Sequence, residues 1–109
     1  MSKFKDVEEG FKQTLNTVNK KVKLKLDFNA TARAEDFFTL HSFEVSEENS
    51  QIQFVVSDEN QNYSVVYTDI ESLDYADNNE RLKIWVYFKN HGNNQRFYLY
   101  YKDSNVQDA

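Results

Sequence analysis

Apolar residues open the chain at steps of three and four. Phe4, Val7, Phe11, Leu15 and Val18 fall on one stripe, and that period predicts an amphipathic helix over about residues 2–19. Ser2 is placed to cap it, and Asp6, Glu8 and Glu9 occupy the early turns, where the helix dipole favours acids. Gly10 sits inside this helix at a cost of roughly 1 kcal/mol relative to alanine, so the segment depends on a core to cover. At Lys21 the period changes to two. Val22, Leu24, Leu26 and Phe28 alternate with Lys21, Lys23, Lys25 and Asp27, the pattern of a strand with one buried face.

The alternation then slips once. In "FFTLHSFEVS" Phe38 and Leu40 share one parity and Phe43 and Val45 the other, which predicts a β-bulge near His41–Ser42. The turn "SEENS" leads into "QIQFVVS", where Ile52, Phe54 and Val56 share a face, and "DENQN" leads into "YSVVY". Thr68 with Glu71 three residues on has capping-box spacing, which predicts a single helical turn at a sheet corner before a short strand through Leu73 and Tyr75. The predicted strands are about 21–28, 37–46, 51–57, 63–67, 72–76, 81–89 and 95–102, with a loop over 29–36. Short polar turns between consecutive strands specify an antiparallel meander. The expected fold is α+β: an N-terminal amphipathic helix packed on a curled meander of six to seven strands, as a small barrel or sandwich. With no proline and two glycines, the turns must rely on Asn, Asp and Ser.

The last predicted hairpin, "RLKIWVYFKNHGNNQRFYLYY" (81–101), holds the sole tryptophan and four of the seven tyrosines. Leu82, Ile84, Val86 and Phe88 fall on one face of its first strand, with Phe97, Leu99 and Tyr101 as their counterparts on the second. The other face interleaves Arg81, Lys83, Trp85, Tyr87 and Lys89 with Arg96, Tyr98, Tyr100 and Lys102. A four-residue connection, Asn90-His91-Gly92-Asn93, matches the apolar faces. It sets Lys83 opposite Tyr100, Trp85 opposite Tyr98 and Tyr87 opposite Arg96. Lys83, Trp85, Tyr87, Arg96, Tyr98 and Tyr100 are therefore the candidate binding residues. Two chemistries suit them. Aromatic rings between cations stack the bases of single-stranded nucleic acid while Lys and Arg follow the phosphates, and Lys21, Lys23 and Lys25 would extend such a face if the first strand lies alongside. The same residues are also good cross-strand partners, with long basic stems lying over rings, and exposed aromatics with Arg suit a protein interface.

Composition narrows the classes. Aromatic residues make up 16% of the 109 residues, and the apolar positions are periodic despite a mean hydropathy of −0.80, so one folded domain over 1–109 is expected. The absence of cysteine excludes disulfides and thiolate chemistry. No apolar run approaches the roughly 18 residues of a membrane span, and acids occupy the N-terminal stretch where a signal peptide is apolar, so a cytoplasmic protein is expected. The net charge of −5 is unevenly spread: residues 34–80 hold twelve acids and no Lys or Arg, while both flanks are net basic. A regular row of carboxylates would mimic a nucleic-acid backbone and inhibit a DNA- or RNA-binding protein. Here Glu44, Glu47, Glu48, Asp58, Glu59, Asp74, Asp77 and Glu80 cluster at turns, where solvated acids are common.

Catalytic and metal signals are weak. His41 and His91 are the only imidazoles, and no histidine or carboxylate spacing typical of a metal site occurs. No phosphate loop or nucleophile elbow is present. No cofactor, metal or small-molecule substrate is expected, and the chain is read as non-enzymatic.

The run "YSVVYTDIESLDYADNNERLKIWVYF" (63–88) resembles the middle of bacterial pleckstrin-homology-like or GRAM-like domains through Tyr67, Asp69, Ile70, Ser72, Leu73, Arg81, Leu82 and Ile84. It covers about a quarter of the chain. The resemblance implies a PH-like sandwich of about seven strands whose usual role is to dock protein or lipid. Such domains usually close with a C-terminal helix, whereas "KDSNVQDA" offers none, so the N-terminal stripe is expected to plug the sheet instead. The Asn/Lys/Asp-rich, proline-free composition resembles bacterial and phage proteins. The expectation is a docking module for a protein partner or for a second copy of itself, with nucleic-acid binding and acidic mimicry as alternatives.

Overall fold

The computed structural model describes residues 3–17, 20–26, 35–89 and 94–101. Ser2 as helix cap, Val18, the end of the first expected strand at 27–28, residues 29–34 of the expected loop, the Asn90–Asn93 connection with His91, and Lys102 lie outside the described residues, while Glu35 and Asp36, also expected in that loop, are strand instead. A helix, α1 (Lys3–Leu15), precedes seven strands: β1 (Lys21–Leu26), β2 (Glu35–Ser46), β3 (Gln51–Ser57), β4 (Asn62–Tyr67), β5 (Ile70–Asp77), β6 (Arg81–Phe88) and β7 (Gln95–Tyr100). All pairings are antiparallel, in one sheet of order β4-β3-β2-β1-β7-β6-β5.

α1 ends about a turn earlier than the apolar stripe suggests. The Thr17 hydroxyl donates to the Thr14 carbonyl (2.8 Å) and accepts the Lys20 N–H (3.1 Å), and Lys20 turns the chain at φ 47°. Polar side chains of this kind compete with helical bonds and stop the helix. Within α1, Val7, Gly10, Phe11 and Thr14 are buried, and Phe4 and Leu15 lie partly buried against the core. The Thr14 hydroxyl is satisfied by the Gly10 carbonyl at 2.8 Å.

The sheet is strongly curled. Phe54 on β3 and Phe97 on β7 are three strand spacings apart in the order, about 14 Å on a flat sheet. Their ring centroids are nevertheless 5.1 Å apart, and Tyr67 on β4 lies 5.8 Å from Phe97. The inner face has folded over on itself. Phe11 of α1 fills the space between, stacked on Phe43 (5.0 Å) and touching Phe54 (5.2 Å) and Phe97 (5.7 Å). The sheet is not closed, because β4 and β5 are the two ends of its order.

Between those ends the chain takes only Thr68 and Asp69, with Asp69 at φ 54°. The helical turn predicted at Thr68–Glu71 does not form. Ile70 N–H instead reaches the Ser50 carbonyl (3.2 Å), Lys89 N–H reaches the Asp69 carbonyl (2.9 Å), and β5 begins at Ile70. Hydrogen bonds to the β2–β3 turn and to the residue after β6 outweigh the local capping signal. The register shift between Leu40 and Ser42 is the bulge that the parity slip predicts, and β5 carries another between Ile70 and Ser72.

Turn chemistry follows the residues available. Asp58 Oδ1 accepts the N–H groups of Asn60 (2.8 Å) and Gln61 (3.0 Å), and Asn78 Oδ1 accepts those of Glu80 (3.1 Å) and Arg81 (3.0 Å). Left-handed backbone falls on Ser50 and Asn79 at the β2–β3 and β5–β6 turns, where proteins more often use glycine.

Candidate functional site

β7 pairs with β1 on one side and β6 on the other, which joins the two basic parts of the sequence on one outer face. Three rungs define it. Thr39, Lys21, Tyr100 and Arg81 lie in one row; Phe37, Lys23, Tyr98, Lys83 and Ala76 in the next; and Arg96, Trp85 and Asp74 in the third. Alternation along each strand forces this outcome once the apolar set faces the core. Leu82, Ile84, Val86, Phe97 and Leu99 are all buried on the inner face.

Cations cover rings across the whole face. Lys23 Nζ stands 4.9 Å from the Phe37 centroid, and Lys83 Nζ stands 4.7 Å from Trp85 and 5.7 Å from Tyr98. The Arg81 guanidinium carbon is 5.0 Å from the Tyr98 ring and 6.0 Å from Tyr100, and Arg81 Nη1 donates to the Tyr100 hydroxyl at 3.2 Å. Phe37 meets Tyr100 edge-on at 5.4 Å. Each such contact contributes about 0.5–1 kcal/mol at an exposed site, so the array orders the face more than it stabilises the fold.

Two expectations for this face need correction. The hairpin register differs by two residues: Lys83 faces Tyr98, Trp85 faces Arg96 and Arg81 faces Tyr100. Tyr87 faces Ser72 of β5 and lies beyond the last β6–β7 rung, Val86–Gln95. A two-residue shift leaves every side chain on its own face, so hydrophobic patterning cannot choose between the registers. The second correction concerns exposure. Tyr98 and Tyr100 are only 7% and 8% exposed, not open platforms. Lys83, Trp85, Tyr87 and Arg96 are half-buried.

The structure thus brings Lys83, Trp85, Arg96 and Tyr98 together on adjacent rungs, adds Tyr100 through Arg81, and leaves Tyr87 at the margin. Phe37 joins this face although it is not among the six candidate residues expected from sequence. Its signal was present in the Phe37–Phe38 pair, since neighbouring strand residues point to opposite faces and one ring had to face outward.

The remaining polar groups lie elsewhere. Glu47 and Glu48 are in the β2–β3 turn, Asp58 and Glu59 in the β3–β4 turn, and Glu80 in the β5–β6 turn with Asp77 at the end of β5 beside it, so the acids flank separate hairpins. Two acids act locally on α1: Asp74 pairs with Lys3 (3.3 Å), and Asp6 accepts the Tyr75 hydroxyl (2.6 Å). That bond, with some burial, raises the Tyr75 pKa. Tyr101 donates to Asp77, and burial followed by this bond pushes its pKa up as well. His41 is exposed, with Nε2 2.7 Å from the Ser57 hydroxyl. Among the described residues, no cluster of three or more His, Cys, Asp or Glu is placed to hold a metal, and no helix is long and apolar enough to cross a membrane. No protein-family model, curated protein or solved structure matches the chain.

Proposed function

We propose that the chain is a non-enzymatic docking module that binds a protein partner through the outer face of β1, β7 and β6. One observation carries this reading: cations from two strands, Lys23 of β1 with Arg81 and Lys83 of β6, stand over rings in adjacent rungs, around the half-buried Trp85. Trp and Arg set within a packed polar rim are the residue types that dominate protein interfaces. Lys21, Lys23, Arg81 and Lys83 select a partner segment that presents carboxylates beside an apolar anchor. A docking role is also what the likeness of residues 63–88 to PH-like and GRAM-like domains implies.

Single-stranded nucleic acid is the less favoured ligand. Stacking needs accessible ring faces, and Tyr98 and Tyr100 are buried with Arg81 beside them. A net charge of −5 also disfavours approach of a polyanion. Acidic mimicry draws no support from carboxylates dispersed over separate turns.

The test begins with Trp85 fluorescence. Mixed single-stranded DNA and RNA oligonucleotides titrated at low salt should leave it unchanged. Saturable quenching that weakens with salt would overturn the protein-docking reading. Affinity capture then compares the wild type with Trp85→Ala, Lys83→Glu and, on the opposite polar strands, Gln53→Glu. A partner retained by Gln53→Glu and lost with the other two supports the proposal. A partner retained by all three places docking elsewhere.

A further inference from the structure

We propose that β4 is a self-pairing edge, through which two copies of the chain join their sheets into one continuous antiparallel sheet. Among the described residues β4 has a single strand neighbour, β3. Exposed edges normally carry charge, proline or a bulge that discourages a further strand. The opposite edge, β5, has such devices: exposed Glu71, Asp74 and Asp77, a bulge at Ile70–Ser72, and contacts from α1 through Lys3 and Asp6. β4 has none of them. Its sequence NYSVVY is uncharged, its ladder with β3 is unbroken, and Val66 is 47% exposed, the large apolar residue most open to solvent among the described residues.

The hydrogen-bond phase shows what this edge offers. Asp58 N–H donates to the Gln61 carbonyl at 3.1 Å, so residues 58 and 61 form a bonded rung. Bonded rungs alternate in an antiparallel ladder, which makes Val56–Tyr63, Phe54–Val65 and Ile52–Tyr67 the next ones. Asn62, Ser64 and Val66 therefore direct their N–H and C=O groups away from β3. Their side chains are all exposed.

A two-fold axis through Ser64 satisfies these groups with a second copy. Ser64 faces Ser64 of the second copy, Asn62 faces Val66 and Tyr63 faces Val65, all uncharged pairs with matched faces. Two bonds per bonded rung give about six interchain bonds. A six-residue strand pair lies below the roughly 1,200 Å² of a standard specific interface, so association is weak and concentration-dependent. The same axis brings the acidic turn Asp58–Glu59 of one copy toward Asp69 of the other, so added salt strengthens the dimer. An interface dominated by cations and carboxylates on the β1–β7–β6 face has the opposite salt response.

Sedimentation velocity of the full chain over a wide concentration range tests the proposal. The expected sedimentation coefficient rises with concentration, and rises further at high salt. Ser64→Lys, which opposes two cations across the axis, should abolish this rise. Ser64→Pro should do the same while sparing the β3 ladder, because the Ser64 N–H points away from β3. The chain has no cysteine, so single-cysteine variants report the register. Ser64→Cys should form an intermolecular disulfide under mild oxidation; Asn62→Cys alone should not, but should do so when mixed with Val66→Cys. A monomer at every concentration overturns the proposal. So does a dimer that survives Ser64→Lys and dissociates on Trp85→Ala, or Asn62→Cys alone linking as fast as Ser64→Cys.

Discussion

Replacing Gly10 by alanine sets two physical effects against each other. In an isolated helix the change adds about 1 kcal/mol of stability, because glycine is a poor helix former. The structure reverses the sign. A Cβ at Gly10 would stand 2.5 Å from Leu82 Cδ2 and 3.3 Å from Leu99 Cδ1. Carbon atoms rest at about 3.5–4.0 Å, so Leu82 must retreat by about 1 Å. Leu82 is 3% exposed and Leu99 0%, and neither can move into solvent. Overpacking of this kind costs about 1–3 kcal/mol, so Gly10→Ala should destabilise by up to about 2 kcal/mol after the helix gain.

A double-mutant cycle isolates the contact. Leu82→Ala alone costs about 2–5 kcal/mol and opens space beside Gly10. In that background Gly10→Ala should recover its helix propensity and stabilise by about 1 kcal/mol. The resulting coupling of about 1–3 kcal/mol lies within the range expected for residues in direct contact. Urea unfolding followed by far-ultraviolet circular dichroism measures all four corners, with m-values checked for constancy. If Gly10→Ala stabilises the wild type by about 1 kcal/mol and the cycle is additive, α1 does not approach β6 and β7 as described, and the reasoning fails.

Two pH responses follow from side chains whose ionisation folding perturbs. Burial holds the Tyr67 pKa above its ordinary value of 10.0, so its stabilising contribution is complete below about pH 10 and declines as the unfolded chain ionises above it. Tyr67→Phe should therefore raise the midpoint of alkaline unfolding measured by circular dichroism, and an unchanged midpoint would refute the assignment. The Asp58 carboxyl lies below its ordinary 3.8, held there by the N–H groups of Asn60 and Gln61 and then by the Tyr63 hydroxyl. Its contribution is present above that value and is lost as pH falls through the folded pKa. Asp58→Asn should flatten the acid limb of thermal stability between about pH 5 and pH 2, whereas an identical limb in wild type and variant would count against it.

Local periodicity determined much about this protein. The stripe from Phe4 to Leu15, the alternation of β1, β3 and β6, the bulge beside His41 and the Asn, Asp and Ser turns are all legible in sequence. Each depends on sterics and hydrogen bonds within a few residues. The same alternation placed Lys83, Trp85, Arg96, Tyr98 and Tyr100 on a common outer face.

Tertiary structure decided how those pieces meet. The return of β7 to β1, which brings Lys21 and Lys23 beside Tyr100 and Tyr98, joins segments about 75 residues apart, and no local pattern encodes that distance. The hairpin register was chosen by partners on both sides of β7, because shifts of two residues are equivalent to the hydrophobic pattern. Curling brought Phe54 and Tyr67 onto Phe97, and Phe11 filled the space between them. It also assigned Gly10 its role. Glycine is a liability in the helix considered alone, but its missing side chain admits Leu82 and Leu99 to the helix surface. Sequence sets which face each residue occupies; only packing between distant strands sets what that face touches.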